Sequence, residues 1–418
     1  MMTEAEKLLK IQQCMEEYEK RFHLKLAQMP RYSPWLPEER ETIRQKAFEL
    51  LGMKEEWIPE IEMELVRILP YDGYTVEQYR FTSWPGVMGT AHLYKPNGWE
   101  EKKNPVILHC CGHTIENKHG PKYQAVSRRL ARQGAIVLMA DNMGQGERVP
   151  MGHTHVEIPF ACGITFQGML AMESMGLLRW LAAQPYADPE RVGVTGISGG
   201  GALSMLVGAF SPEAKAILSH GYTSSFESFL RKDKVHCACN ILPGMLGKME
   251  MWHILSLCAP RRLRIMQGKG DELFPYEVFC DTARRLKAVY TAMGCPEQMD
   301  YADPPGPHGW DWQRRYEVGK FFAEVFDLLP PDEAEDDMVE TIPLDVRCYD
   351  AYPEHALTTD DAARLITGKD VPDDTHLWDV FPPQVDMTEI GDMPCRHAGG
   401  KQKTYRHLFA QYEASLKD

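Results

Sequence analysis

Apolar positions follow two different periods along this chain. Leu8, Ile11, Met15, Tyr18 and Phe22 recur at intervals of three and four, which lines them up as one stripe along a helix. Such a stripe needs a covering surface. The usual cover is the chain's own core; a second copy of the chain is the alternative, which would make a homo-oligomer through the N-terminal helix. A second helical stretch over 37–51 stops at Gly52, a residue suited to the left-handed conformation after a helix end.

From residue 61 the period changes. Segments 62–69, 75–83 and 88–94 are short, rich in β-formers and separated by Tyr71-Asp72-Gly73 and Pro85-Gly86, which read as turns. These predict antiparallel edge strands. Apolar runs of the kind that fill a strand buried on both faces follow at 106–110, 135–140, 192–196, 216–219 and 263–267, with helical stretches between them. An antiparallel lead-in followed by repeated strand–helix units predicts an α/β fold, a mostly parallel central sheet with helices on both faces. Residues 222–257 interrupt that alternation with Phe226, Phe229, Leu230 and His236-Cys237-Ala238-Cys239, and read as a cap or lid insertion. After Leu329 come Pro330-Pro331 and the acidic cluster Asp332, Glu333, Glu335, Asp336 and Asp337. The expected organisation is therefore an N-terminal helical extension over 1–60, a main domain over 61–329 and an acidic, Pro-rich C-terminal extension over 330–418. In that last part only 362–366 and 405–416 look helical, and the extension either wraps the domain or stays loose.

Composition narrows the class of protein. With 418 residues, 44% hydrophobic and 25% charged, the chain can bury a large core. Its 46 Lys and Arg against 60 Asp and Glu leave a net charge of −14, which repels nucleic-acid phosphates and anionic lipid headgroups. No apolar run approaches the roughly 20 residues that span a bilayer. The first twenty residues are charged throughout, unlike a secretory signal, and the eleven scattered cysteines suit reduced thiols. Together these predict a cytoplasmic protein. Gly144-Gln145-Gly146 lacks the third glycine of a dinucleotide fingerprint, and a Walker lysine motif is missing, so nucleotide chemistry is not expected.

The chemistry concentrates in one segment. Residues 191–196 are a β-branched strand that runs into Gly196-Ile197-Ser198-Gly199-Gly200 and then into an apolar helix ending near Phe210. This is the pattern of a nucleophile elbow, in which a serine is held exposed on a sharp strand-to-helix turn that leaves no room for Cβ atoms two residues to either side. The following helix start aims its amides at a developing oxyanion. An acid and a histidine follow in the required chain order. Asp271 sits in Gly268-Lys269-Gly270-Asp271-Glu272, directly after a strand; Glu272 is the weaker alternative, and a helix N-cap is the plain reading for either. His308 sits in the loop Pro305-Gly306-Pro307-His308-Gly309, before a helix over 312–326. Its task would be to accept the Ser198 proton and return it to the leaving group while Asp271 orients the ring. The oxyanion donors would be the amides of Gly199 and of His113 in the loop after the strand 106–110, with Gly112 as the neighbouring alternative.

Two other clusters are weaker. His153-Thr154-His155 and His236-Cys237-Ala238-Cys239 resemble half-sites for a metal, but neither has a matching second pair at zinc-site spacing, so no metal is expected. Asp141 to Arg148 follows a strand and should shape the pocket rim. Trp310 and Trp312 are candidates for the pocket wall, with core burial as the default.

Four segments, Cys111-Gly-His-Thr114, the 140–148 stretch Ala-Asp-Asn-Met-Gly-Gln-Gly-Glu-Arg, Gly193 to Gly201 and Pro307-His-Gly309, together resemble the α/β-hydrolases of the acetylxylan-esterase-like and dienelactone-hydrolase-like group. The resemblance spans about residues 60–328. It implies an α/β-hydrolase fold and a Ser-His-Asp carboxylic ester hydrolase without metal or organic cofactor, acting through an acyl-enzyme on acetylated carbohydrates or other small esters. Glucuronoyl esterases and oligopeptidases are relatives of the same group. A serine peptidase of the oligopeptidase kind is thus the rival enzyme, and a silent hydrolase-fold scaffold the rival outside catalysis.

Overall fold

Nine strands hydrogen-bond into one sheet in the order β1-β2-β3-β5-β4-β6-β7-β8-β9. In chain order they are β1 Glu62–Tyr71, β2 Tyr74–Thr82, β3 Met88–Pro96, β4 Asn104–Cys110, β5 Ile136–Ala140, β6 Ala187–Ile197, β7 Ala216–His220, β8 Arg262–Met266 and β9 Met299–Ala302. The computed structural model describes residues 39–153, 157–226, 237–240, 242, 245, 249–332 and 341–375, with the backbone of 394–395 and 403–404. The N-terminal stripe 8–22, the stretch 405–416 and residues 227–236 of the insertion lie outside these.

The antiparallel lead-in is β1, β2 and β3, joined through Gly73 and Gly86, both with positive φ, and β3 pairs antiparallel with β5. All remaining pairs of this sheet are parallel. Successive residues of a strand point to opposite faces, and here both faces are apolar. Val106 and Leu108 of β4 and Ile136 and Leu138 of β5 enter one core; Ile107, Val137 and Met139 enter the other. The first core is closed by helices Phe166–Ala182, Gly199–Phe210 and Tyr276–Ala292, the second by Pro121–Arg132 and Trp312–Phe326.

Helix boundaries follow local chemistry. Helix Arg40–Leu51 ends at Gly52, whose φ of 69° lets its amide reach the carbonyls of Phe48 and Glu49. Thr165 caps Phe166–Ala182 by accepting from the Gly168 amide, and Asp311 caps Trp312–Phe326 by accepting from that of Arg314. Among the described residues no helix is long and apolar enough to cross a membrane.

One expectation changes, and one of two open alternatives is met in part. The end of the presumed lid is core: helix Met251–Ser256 buries Trp252, Ile254 and Leu255 in the first core. The described part of the C-terminal extension is fastened to the domain. Ile342 donates its amide to Gln124 Oε1 (2.6 Å), Gln78 Nε2 donates to the Val346 carbonyl (2.9 Å), and Arg80 Nε to that of Cys348 (2.8 Å). The helical reading of 362–366 corresponds to helix Thr359–Thr367, which starts with a reciprocal cap between Thr358 and Asp361.

Candidate active site

The turn between β6 and helix Gly199–Phe210 holds Ser198 at φ 57°, ψ −123°, a conformation that costs a non-glycine residue about 1–3 kcal/mol and is retained only where its surroundings enforce it. The enforcement is visible. Ser198 donates its amide to the His220 carbonyl at 2.9 Å, and a Cβ on Gly196 or Gly200 would collide with backbone, the Gly200 and Cys110 carbonyls respectively. Because the Cys110 carbonyl belongs to a central strand and cannot retreat, Gly200→Ala is expected to destabilise the chain by about 1–3 kcal/mol or more, read as a fall in thermal midpoint.

His308 and Asp271 meet as a pair. His308 Nδ1 lies 2.8 Å from Asp271 Oδ2, and the other carboxylate oxygen accepts the amides of Leu273 (2.9 Å) and Phe274 (3.2 Å). The Asp271 side chain is fully buried there and can only accept, so the imidazole proton sits on Nδ1 and leaves the lone pair on Nε2. Glu272 does a different job: its Oε2 accepts the backbone amide of His308 at 3.1 Å. Buried Arg314 steadies the approach to the same loop by donating to the Gly306 carbonyl.

Ser198 and His308 both line one cavity of about 480 Å³, whose walls include His113, Tyr123, Ile197, Leu273 and Trp310. Trp312 does not join them; it stacks on Tyr316. Behind the wall, the buried His220 ring lies 4.7 Å from that of Trp310, and burial, then the nearby His308 and Arg314, push its pKa well below the ordinary histidine value. It stays uncharged.

On the other side of Ser198 is the loop 111–120. The Gly112 amide is already taken by the Tyr123 hydroxyl at 3.1 Å, which leaves His113 as the stronger of the two expected oxyanion donors in this loop. What holds the loop in place has no local signature in the chain. Asn117, itself at φ 47°, donates to the Gly112 carbonyl (3.0 Å) and to Gln145 Oε1 (2.9 Å) and accepts the Asn142 amide (3.0 Å). Next to it Lys118 is wholly buried between Asp141 and Glu147, 2.6 Å from each. Residues 141–148 therefore do not form the cavity rim; they form its foundation. Glu147 also accepts the amides of Cys348 and Tyr349, tying the C-terminal extension to this cluster.

The half-sites that lacked partners along the sequence acquire them in space. His113 Nε2 lies 3.1 Å from His153 Nε2 and 3.1 Å from Cys239 Sγ, with Cys237 in the same group.

Known proteins share this framework. The family model described as acetyl xylan esterase (AXE1) matches residues 22–236, just over half of the chain. YtaP of Bacillus subtilis, a hydrolase by name, is 24% identical over 269 residues, covering 61% of this chain and 89% of its own. Among solved structures, the methylesterase BT1017 superposes with a TM-score of 0.67 at 22% identity, over 83% of this chain and 77% of its own. A glucuronoyl esterase from Solibacter usitatus superposes with a TM-score of 0.53 at 16% identity, over 72% and 99%. The sheet is thus that of an α/β-hydrolase, and with the family model spanning its elbow serine this chain belongs to the acetyl xylan esterase family and is an esterase.

Proposed function

We propose that the protein is a serine carboxylic ester hydrolase that removes an acyl group, acetyl being the simplest, from a carbohydrate or other small ester through an acyl-enzyme. The observation that carries this reading is the buried Asp271–His308 hydrogen bond opening onto the cavity that Ser198 also lines. Ser198 Oγ attacks the ester carbonyl as His308 Nε2 takes its proton. The resulting oxyanion accepts hydrogen bonds from the Gly199 and His113 amides. Collapse of the tetrahedral intermediate expels the alcohol, protonated by His308, and leaves Ser198 acylated. Water, deprotonated by the same nitrogen, then attacks the acyl carbon, and the carboxylic acid leaves with Ser198 restored. Asp271 keeps the imidazole in the productive tautomer and stabilises it when it becomes charged.

Substrate size is bounded by the cavity. At about 480 Å³, with Ile197, Leu273 and Trp310 in its walls, it suits a short acyl group beside one or two sugar rings. The two neighbouring acids separate the roles cleanly. In Asp271→Asn, kcat for p-nitrophenyl acetate is expected to fall by roughly 10⁴-fold, because the amide favours the wrong tautomer. Glu272→Gln keeps a side-chain oxygen for the His308 amide and is expected to stay within about tenfold of the parent. The reverse ranking would move the acid role to Glu272, and equal, small effects would remove the triad.

A further inference from the structure

Two histidines and two cysteines converge on the far side of the loop that carries His113. One donor atom from each of His113, His153, Cys237 and Cys239 lies within 4.8 Å of all the others, the only such group of three or more His, Cys, Asp or Glu among the described residues. Within it, His113 Nε2 lies 3.1 Å from His153 Nε2 and 3.1 Å from Cys239 Sγ. Zinc held at about 2.1 Å from nitrogen and 2.3 Å from sulfur in a tetrahedron needs edges of about 3.4–3.8 Å, within the range these four atoms span.

His153 is also oriented as a ligand. His153 Nδ1 lies 2.6 Å from the Met143 carbonyl, which can only accept, so this nitrogen carries the proton and the Nε2 lone pair turns into the cluster. A ring nitrogen fixed from behind by a backbone carbonyl is the usual support of a metal-bound histidine. At its front, Nε2 faces the second imidazole nitrogen, with the Gln145 side-chain amide 3.4 Å away. A cation at the centre satisfies both imidazole lone pairs and both sulfurs at once. The donor set of two nitrogens and two sulfurs selects a borderline-soft ion and disfavours magnesium or calcium.

We propose that His113 Nε2, His153 Nε2, Cys237 Sγ and Cys239 Sγ bind one zinc ion in a closed tetrahedral site beside the nucleophile turn. Binding releases the two thiol protons and yields a neutral centre with no change of oxidation state. All four positions are filled by protein, so the ion is structural and does not bind substrate. It joins three segments that are distant in sequence: the loop after β4, the loop after β5 and the 237–240 turn of the insertion. The His113 ring passes so close to the residue after Ser198 that a Cβ on Gly199 would lie 2.6 Å from its Nδ1. The ion therefore anchors the loop next to the nucleophile, a consequence that rests on the esterase reading, whereas the metal site itself does not.

The test is metal content of the full chain, produced with zinc in the medium and purified without chelator. Elemental analysis is expected to give one zinc per chain in the parent and less than a tenth of that in Cys237→Ser/Cys239→Ser. Ser198→Ala should retain the full equivalent, which separates failure of the metal site from failure of the esterase reading. Should the double variant misfold, cobalt loaded into the parent decides the matter through the thiolate-to-cobalt charge-transfer band and the intense visible bands of a tetrahedral site. A folded parent with no zinc and no such cobalt spectrum, a Cys237–Cys239 disulfide in its intact mass, or an unchanged zinc equivalent in the double variant would overturn the proposal.

Discussion

Ser198→Ala is expected to lower kcat for p-nitrophenyl acetate by roughly 10⁴- to 10⁶-fold, with KM within a few-fold of the parent and the thermal midpoint unchanged or raised. The loss is large because the acyl-enzyme route disappears altogether; what remains is the background of a bound ester near oxyanion donors. The stability should not suffer, since alanine keeps the same Cβ on the backbone at φ 57° and the Ser198 side chain does not cap the helix behind it. A variant that folded well and kept a tenth or more of the parent rate would mean that the measured hydrolysis occurs elsewhere.

The largest effect on stability is expected from Lys118. Its ammonium is fully buried between Asp141 and Glu147, both essentially inaccessible. Replacing it with alanine leaves two carboxylates facing each other without a counter-charge, and breaking a buried ion pair from one side costs about 3–5 kcal/mol. Lys118→Ala is expected to show that loss in chemical denaturation. The same cluster sets an acid limit. Burial alone would raise the Asp141 carboxyl, but Lys118 and the Glu147 amide outweigh it and hold the group below its ordinary value. A depressed carboxyl contributes stability that is complete above its unfolded value, about pH 4, and is lost as pH falls through the folded one. The thermal midpoint should therefore drop on acidification below about pH 4, and less steeply in Asp141→Asn.

Sequence pattern revealed most of what local rules control. The parallel strands were legible because both faces of each are apolar, and the helix over 312–326 because a loop ending in Asp311 precedes a regular stripe. β9 was harder: Met299–Ala302 has four residues, of which only Met299 is buried, so it carries no apolar run. Ser198 stood out because its turn tolerates only glycine at 196 and 200. The adjacent acids Asp271 and Glu272 could not be ranked by spacing with the same force; their hydrogen bonds, to the His308 ring and to its amide, distinguish them. Lys118 was invisible, since a lysine in a loop is ordinarily solvated and nothing local announces two buried partners more than 20 residues away. The His113, His153, Cys237 and Cys239 group was invisible for the same reason. Each half-site lacks a matching pair in its own neighbourhood, and its partners arrive from distant loops.

The proposed route requires a covalent intermediate on Ser198. Incubation with a fluorophosphonate, followed by intact-mass and peptide analysis, tests it most directly, because the reagent phosphonylates an activated serine and expels fluoride, leaving a stable analogue of the acyl-enzyme. One phosphonyl group is expected on Ser198 in the parent, none in Ser198→Ala, and labelling slowed by several orders of magnitude in His308→Ala. An active parent that stays unlabelled, or carries the label on any residue other than Ser198, would contradict the account.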